Sequence, residues 1–322
     1  MLRPEDGRDR GQLLVIIALV LGMVFVALAI VVNAAIFTEN LATRETVDSE
    51  RTAAFTGDVE RAIEVRYNRT NSNGSHTASA ARATFNDTFR AWTDQRSNVS
   101  ATEGGYYGAS WTTHVGWRLD QSTDDSFAPA DRRDETEWTL APDIRNISAF
   151  ELNVTRDDLY SGDNTEAFHV LLTDGPDTWK VFVYQEGGSD IVVSADDPST
   201  APQCTRTTDR AVINVSNGSV AGTECDALDL PASLDGTLEV KFQNVQSSGG
   251  DERVNGTYTV VVNGSDAVDT DGDGEPTKFN RSGEAPPTAA AVVYAVNYTT
   301  TYERADVEHH RDGRYAPRAE LY

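Results

Sequence analysis

The chain has 322 residues, with 51 Asp or Glu against 27 Lys or Arg and a formal net charge of −24. A surface this acidic repels phosphate backbones, which excludes nucleic acid as a partner. An apolar fraction of 39%, with five Trp, eleven Tyr and eleven Phe, is enough for a packed core and excludes wholesale disorder.

The first predicted element is a membrane-spanning helix. Leu13 to Val32 is a run of twenty residues without a polar side chain, about 30 Å of helix and the thickness of a bilayer core. Asn33 interrupts the run and Ala34 to Phe37 extend it. Arg3, Arg8 and Arg10 precede it, whereas Arg44 and Arg51 follow among Glu39, Glu45, Asp48 and Glu50. The balance of basic residues puts the N-terminus in the cytoplasm and the C-terminal domain outside, a single-pass topology in the cell membrane. Three readings compete: a permanent anchor, a secretory signal cut near Val32–Ala34, and a prepilin-type leader. The apolar run is longer than the usual core of a signal peptide.

Arg10-Gly11-Gln12, followed at once by the apolar run, resembles an archaeal prepilin signal. The longer stretch from Arg10 through Thr38-Glu39-Asn40-Leu41-Ala42-Thr43-Arg44 is similar to the N-termini of haloarchaeal membrane proteins grouped with pilin-like proteins. In the prepilin family a membrane peptidase cuts after the Gly on the cytoplasmic side. The resemblance therefore implies processing between Gly11 and Gln12, and an apolar helix that stays on the mature protein and packs into a filament core. Bacterial pilins carry an acidic residue five places into the mature chain, where this sequence has Ile16. The chain-long carboxylate excess, with Lys180, Lys241 and Lys278 as the only lysines, also resembles proteins of salt-loving archaea. In molar salt, repulsion between carboxylates is screened within about 3 Å.

Beyond the membrane the reading is α+β: a helical stalk followed by an antiparallel, β-rich, sandwich-like ectodomain. The expected divisions are a cytoplasmic leader at 1–11, the transmembrane helix at 12–37, a helical stalk and loop at 38–100, the β-rich ectodomain at 101–305 and a charged tail at 306–322. Leu41, Val47, Phe55, Val59 and Ile63 recur at near-helical spacing from Thr38 to about Tyr67. Asn68 to Ser75 reads as a loop. Phe85, Phe89 and Trp92 form the packing face of a short amphipathic helix. Strands are predicted at Ala109–Leu119, Ile147–Thr155, Phe168–Thr173, Trp179–Gln185, Asp190–Val193, Ala211–Val215, Thr237–Phe242, Thr257–Val262 and Ala290–Tyr302. Thr173-Asp174-Gly175-Pro176-Asp177 reads as a hairpin turn. The tail from His309 to Tyr322 is charged and reads as loose.

Cys204 and Cys225 have no other cysteine to compete with them, and on an oxidising side of the membrane they form a disulfide. Twelve N-x-Ser/Thr sequons all lie beyond the anchor, at Asn68, Asn73, Asn86, Asn98, Asn146, Asn153, Asn214, Asn217, Asn255, Asn263, Asn280 and Asn297. They are glycosylation candidates of a surface protein, although a composition rich in Asn, Ser and Thr accounts for part of the number. Asp269, Asp271 and Asp273, followed by Gly274, match the first half of a calcium loop; the twelfth position is Asn280 rather than an acid. An acidic solvated loop is the leading reading there and calcium the alternative; no other cofactor is expected.

His76, His114, His169, His309 and His310 lack zinc-ligand spacing and read as surface or packing residues. No nucleophile elbow, phosphate loop or dinucleotide fingerprint occurs, so no catalytic residue is assigned. The functional expectation is a non-enzymatic, membrane-anchored surface protein of a halophilic archaeon. It is read as pilin-like or pilus-associated, with the membrane and pilin-like or other surface proteins as partners. The alternative is a membrane-tethered extracellular binding module.

Overall fold

The computed structural model describes residues 6–102, 104–161, 166–195, 202–230, 234, 236–264, 268, 277–304 and 307–316. The chain forms two compact units, Met1–Val59 and Glu60–Tyr322. Helix α1, Asp6–Asn73, contributes to both.

In the first unit, Leu13–Ile36 is a stretch of 24 helical residues with mean hydropathy 3.3, none of it buried. At 1.5 Å per residue it is about 36 Å long, enough to cross a hydrocarbon core. Its length and composition suit a membrane anchor and a signal sequence alike. Thr38, just beyond the stretch, donates its hydroxyl back to the Ala34 carbonyl at 2.6 Å, which satisfies the side chain without leaving the helix.

The described residues of the second unit contain the end of α1, helix α2 (Ala78–Thr102) and fifteen strands. In chain order these are β1 Gly105–Ser126, β2 Glu137–Ile144, β3 Ile147–Thr155, β4 Phe168–Asp174, β5 Asp177–Glu186, β6 Asp190–Ala195, β7 Gln203–Thr207 and β8 Arg210–Asn214. They continue as β9 Ser219–Val220, β10 Thr223–Glu224, β11 Leu238–Gln243, β12 Asn255–Asn263, β13 Asn280–Arg281, β14 Thr288–Arg304 and β15 Val307–Tyr315. The nine-stranded sheet runs β10-β9-β8-β3-β12-β1-β14-β13, with β15 also on β14; the six-stranded sheet runs β2-β11-β4-β5-β6-β7. Among the described strands β13 and β14 pair in parallel and the other pairs are antiparallel; the mostly antiparallel, β-rich character matches the sequence reading.

Strand alternation explains the pairing of faces. Leu238, Val240 and Phe242 of β11 are buried while the residues between them are half-exposed, and Tyr258, Val260 and Val262 of β12 follow the same period. One buried cluster draws on both sheets, including Trp117, Leu119 and Phe150 from the larger and Val170, Trp179 and Val181 from the smaller. Phe127, just after β1, is where they meet: its ring lies 5.5 Å from Phe168, 5.6 Å from Phe242 and 5.1 Å from Tyr258. Each such aromatic contributes roughly 2–3 kcal/mol through burial. The β4–β5 hairpin turns where the sequence predicts, with Asp174 opposite Asp177. Gly175 takes φ 57°, as the first central residue of a two-residue turn of this hand requires.

The other face of β1 and β14 is covered by helices. Thr77 caps α2 by accepting from the Ala80 N–H at 3.2 Å. Phe89 of α2 packs edge-on against Trp111 of β1 at 4.8 Å and Trp92 against Tyr107 at 6.0 Å, so the aromatic triplet is a packing face. From α1, Arg66 lies 5.6 Å over the Trp92 ring and donates to the Thr88 carbonyl at 3.2 Å. Its pKa is lowered by burial and by Arg69.

Two sequence expectations are corrected. Asn68 to Asn73 is helical rather than loop, because tertiary contacts outweigh a turn-rich composition: Thr70 is buried and Asn71 binds β14. The Asn71 amide donates to the Val293 carbonyl and accepts from the Val293 N–H, both at 2.8 Å. Ser75 exchanges backbone bonds with Ala291 at 2.8 and 3.2 Å. β13 pairs with β14 at Thr288 and Ala289 and β15 from Val296 onward, so these bonds fill the gap between them. Gly74, at φ 64°, ends the helix in the left-handed conformation that lets the chain reach Ala291. The second correction is the tail, in which residues 307–315 form β15 instead of loose chain.

Replacing Asn71 by Ala removes both bonds to Val293 and leaves backbone groups of β14 unpaired. A loss of about 2 kcal/mol is expected in urea denaturation; an unchanged midpoint would show that the gap needs no cap.

Candidate functional site

Gly11 and Gln12 lie in α1 directly before Leu13, where the apolar stretch begins. Asp269, Asp271 and Asp273 lie outside the described residues. Among the described residues no group of three or more His, Cys, Asp or Glu could hold a metal ion.

Cys204 and Cys225 form the expected disulfide. Cys204 sits on β7, an edge of the six-stranded sheet, and Cys225 directly follows β10, an edge of the nine-stranded sheet. Arg206 of β7 reinforces the link, donating to the carbonyls of Val220 at 3.2 Å, Thr223 at 3.4 Å and Glu224 at 3.3 Å.

The sequons divide by how the fold uses their amides. Asn68, Asn98, Asn217 and Asn297 are exposed, and Asn73 ends α1. Asn146, Asn153, Asn214, Asn255 and Asn280 are half-buried at turns and strands. At Asn217 the sequon hydroxyl of Ser219 donates to Asn217 Oδ1 at 2.6 Å. Asn86 and Asn263 instead build a cleft. Asn86 Oδ1 accepts from Trp111 Nε1 at 2.8 Å and from Thr113 Oγ1 at 2.7 Å. The indole N–H can only donate, so the atom facing it is the carbonyl oxygen. Asn263 Oδ1 accepts the backbone N–H groups of Arg145 and Asn146 at 2.9 and 2.8 Å and so fixes the turn between β2 and β3.

These contacts shape an open cleft of about 860 Å³. Its chemistry comes from Arg82 of α2, Trp111 and His114 of β1, and Asp143 and Arg145 at the β2–β3 turn. Asp143 holds a left-handed backbone at φ 49°, a conformation that costs a non-glycine residue about 1–2 kcal/mol. Two guanidinium groups and an indole offer recognition of a planar or anionic group. Among the described lining residues Asp143 is the carboxylate. Sequence reasoning missed this cleft because β2 was not predicted: Pro142 within Glu137–Ile144 argues against a strand, yet β2 is an edge, where proline is tolerated.

Among the histidines, His169 is buried in the six-stranded sheet. Its ring lies 4.6 Å from Phe182, with Nδ1 3.1 Å from the Ala167 carbonyl and Nε2 2.8 Å from Gln243 Oε1. Burial pushes its pKa down, and the two hydrogen bonds oppose that shift only in part.

No family model, curated protein or solved structure matches the chain, so the functional reading rests on its own residues.

Two outcomes are expected. Replacing both cysteines by Ser costs about 3 kcal/mol in denaturant, whereas in the native protein both sulfurs stay unlabelled by alkylating reagent without reductant; full labelling would reject the bridge. For His169, a base with a lowered folded pKa binds fewer protons folded than unfolded. Its contribution is therefore complete above the ordinary imidazole pKa of about 6.5 and is lost as pH falls below it. H169Q should lose less melting temperature than the native protein between about pH 7.5 and about pH 5; equal losses would place the acid sensitivity elsewhere.

Proposed function

We propose that the chain is a membrane-anchored surface subunit of the pilin-like type from a salt-loving archaeon. Its leader is cut between Gly11 and Gln12 and its β-rich unit stands outside the cell. The observation that carries this reading is the position of Leu13–Ile36, a fully exposed apolar helix of 24 residues that begins directly after Arg10-Gly11-Gln12. Removal of the first eleven residues deletes Arg3, Arg8 and Arg10, the basic cluster that holds the helix on the cytoplasmic side. The freed helix packs against neighbouring copies instead of lipid.

Supporting features are the disulfide, which persists in oxidising compartments, and the exposed sequons at Asn68, Asn98, Asn217 and Asn297. In this reading α1 beyond the membrane is a stalk, and the two sheets form a sandwich-like ectodomain.

The tethered binding module is the second reading, favoured by the cleft with Arg82, Trp111 and Arg145. It requires no processing and no filament. Mass spectrometry of the native protein separates the two. The subunit reading expects a mature chain starting at Gln12, with G11L blocking cleavage and raising the mass by about that of the eleven-residue leader. A native chain starting at Met1 or Leu2 and absent from filaments would overturn it in favour of the binding module.

A further inference from the structure

β15 lies at the outside of the nine-stranded sheet. It pairs with β14 from Val307 to Tyr315, and among the described residues no strand pairs with its other edge. Its side chains separate by parity. Arg311 donates to Glu60 at 2.9 Å, Tyr315 packs edge-on against Tyr67 at 5.4 Å, and a Cβ at Gly313 would strike the Tyr298 ring. The face of Arg311, Gly313 and Tyr315 is therefore the one toward the helices. Glu308, His310, Asp312 and Arg314 form a charged row on the opposite face. There His310 Nδ1 lies 3.0 Å from Thr301 Oγ1, Asp312 accepts from Thr299 at 2.6 Å and Arg314 donates to Asn297 at 3.2 Å.

We infer that this edge pairs antiparallel with β15 of a second copy of the chain, about a two-fold axis through Arg311. In such a pair directly opposed residues lie on the same face, so even-numbered positions can oppose only even-numbered ones. The charge row then favours this register over those centred on the two adjacent residues. Centred on Arg311, Glu308 meets Arg314 of the second copy and His310 meets Asp312, and symmetry repeats both contacts. Centred on His310, Glu308 meets Asp312. Centred on Asp312, that carboxylate meets itself and His310 meets Arg314. Like charges directly opposed are destabilising, so both neighbouring registers are disfavoured. The chosen register does bring Arg311 against its counterpart, but on the helical face, where Glu60 of each copy neutralises it. Pairing also satisfies the backbone groups that an open edge leaves to water. The inference stands on β15 alone and does not depend on leader cleavage.

The test uses the full chain in detergent micelles, with light scattering for mass and a non-reducing gel after mild oxidation. All native cysteines are in the disulfide, so an introduced thiol reports only on itself. R311C should form a disulfide-linked dimer, because directly opposed Cβ atoms lie about 4.5–5.5 Å apart. E308C should not, because its counterpart lies roughly 20 Å along the strand pair. R314E should weaken dimerisation by about tenfold or more, and E308R/R314E, which exchanges the charges, should restore it. Protection of the Cys204 and Cys225 sulfurs from alkylation verifies that each variant is folded. The proposal is overturned if R311C stays monomeric, if E308C cross-links as well as R311C, or if R314E dimerises as the native chain does. An association driven by the apolar helix alone would show the last two patterns.

Discussion

An antiparallel sheet pairs its backbone everywhere except at its edges, and the second unit depends on how each edge is resolved. β14 shows the constraint most directly. β13 reaches it only at Thr288 and Ala289, and β15 begins only at Val296. Between them Ala291 and Val293 would face water or nothing. The last turn of α1 and the residues just after it supply the missing strand: Ser75 through its backbone and Asn71 through an amide that copies the donor and acceptor of a peptide. Arg118 of β1 donates to the Asn71 carbonyl at 3.0 Å, occupying one of the carbonyls that a helix end leaves unpaired. The same few bonds thus terminate a helix and complete a sheet. At the far side, β7 and β10 are edges of different sheets. The disulfide and the guanidinium of Arg206 tie them, so those two edges are held to each other. At β2 the proline in the edge strand removes a donor that would otherwise seek a partner.

The legibility of the sequence follows from the same constraint. Strands flanked on both sides and buried on one face carry a period-two apolar signal. Those at Ile147–Thr155 and Thr257–Val262 were readable for that reason; Phe168–Thr173 and Trp179–Gln185, buried on both faces, were readable as short apolar runs on either side of the Gly175 turn. The aromatic triplet of α2 was readable from helical spacing. What escaped notice sits at edges. β2 hides behind Pro142, and β15 reads as a charged tail because its one-sided contacts are made by Arg311 and Tyr315 instead of aliphatic residues. The helical state of Asn68 to Asn73 was unreadable because Asn71 is bonded to a residue 222 positions away. Of the candidate site, the cysteine pair was legible from its isolation. The cleft was not, since Arg82, Trp111, Asp143 and Arg145 converge only after the sheet and α2 have packed.

The acidic surface has local structure that composition does not reveal. Arginines rather than lysines dominate the ion pairs among the described residues, and one faces two carboxylates at once: Arg156 stands 2.8 Å from Asp157 and 2.6 Å from Asp209. A planar guanidinium can bridge two acids where a point charge cannot. Nearby, Asp158 is held above the usual carboxylate range, first by burial and then by Asp124, Glu252 and Asp157. Such crowding disfavours the ionised, folded state in dilute salt and is relieved as the screening length shortens. Exposed pairs of this kind contribute at most about 1 kcal/mol each. They distribute charge over the surface; the two-sheet core supplies the stability.

The edge pairing inferred for β15 and the filament reading of the apolar helix make different geometric demands. A strand that pairs with its own copy about a two-fold axis uses one surface on both partners and closes on itself. It yields a dimer with two nine-stranded sheets joined at β15 and no open edge left there to recruit a third chain. A filament needs the opposite, a contact between two different surfaces that leaves one of each free at every step. β15 by itself therefore cannot propagate an assembly. If filaments form, elongation falls to Leu13–Ile36, whose apolar side chains are exposed around the whole helix and can meet neighbours on more than one side. The two contacts then act at different levels, the strand edge joining copies in pairs and the helix joining pairs in series.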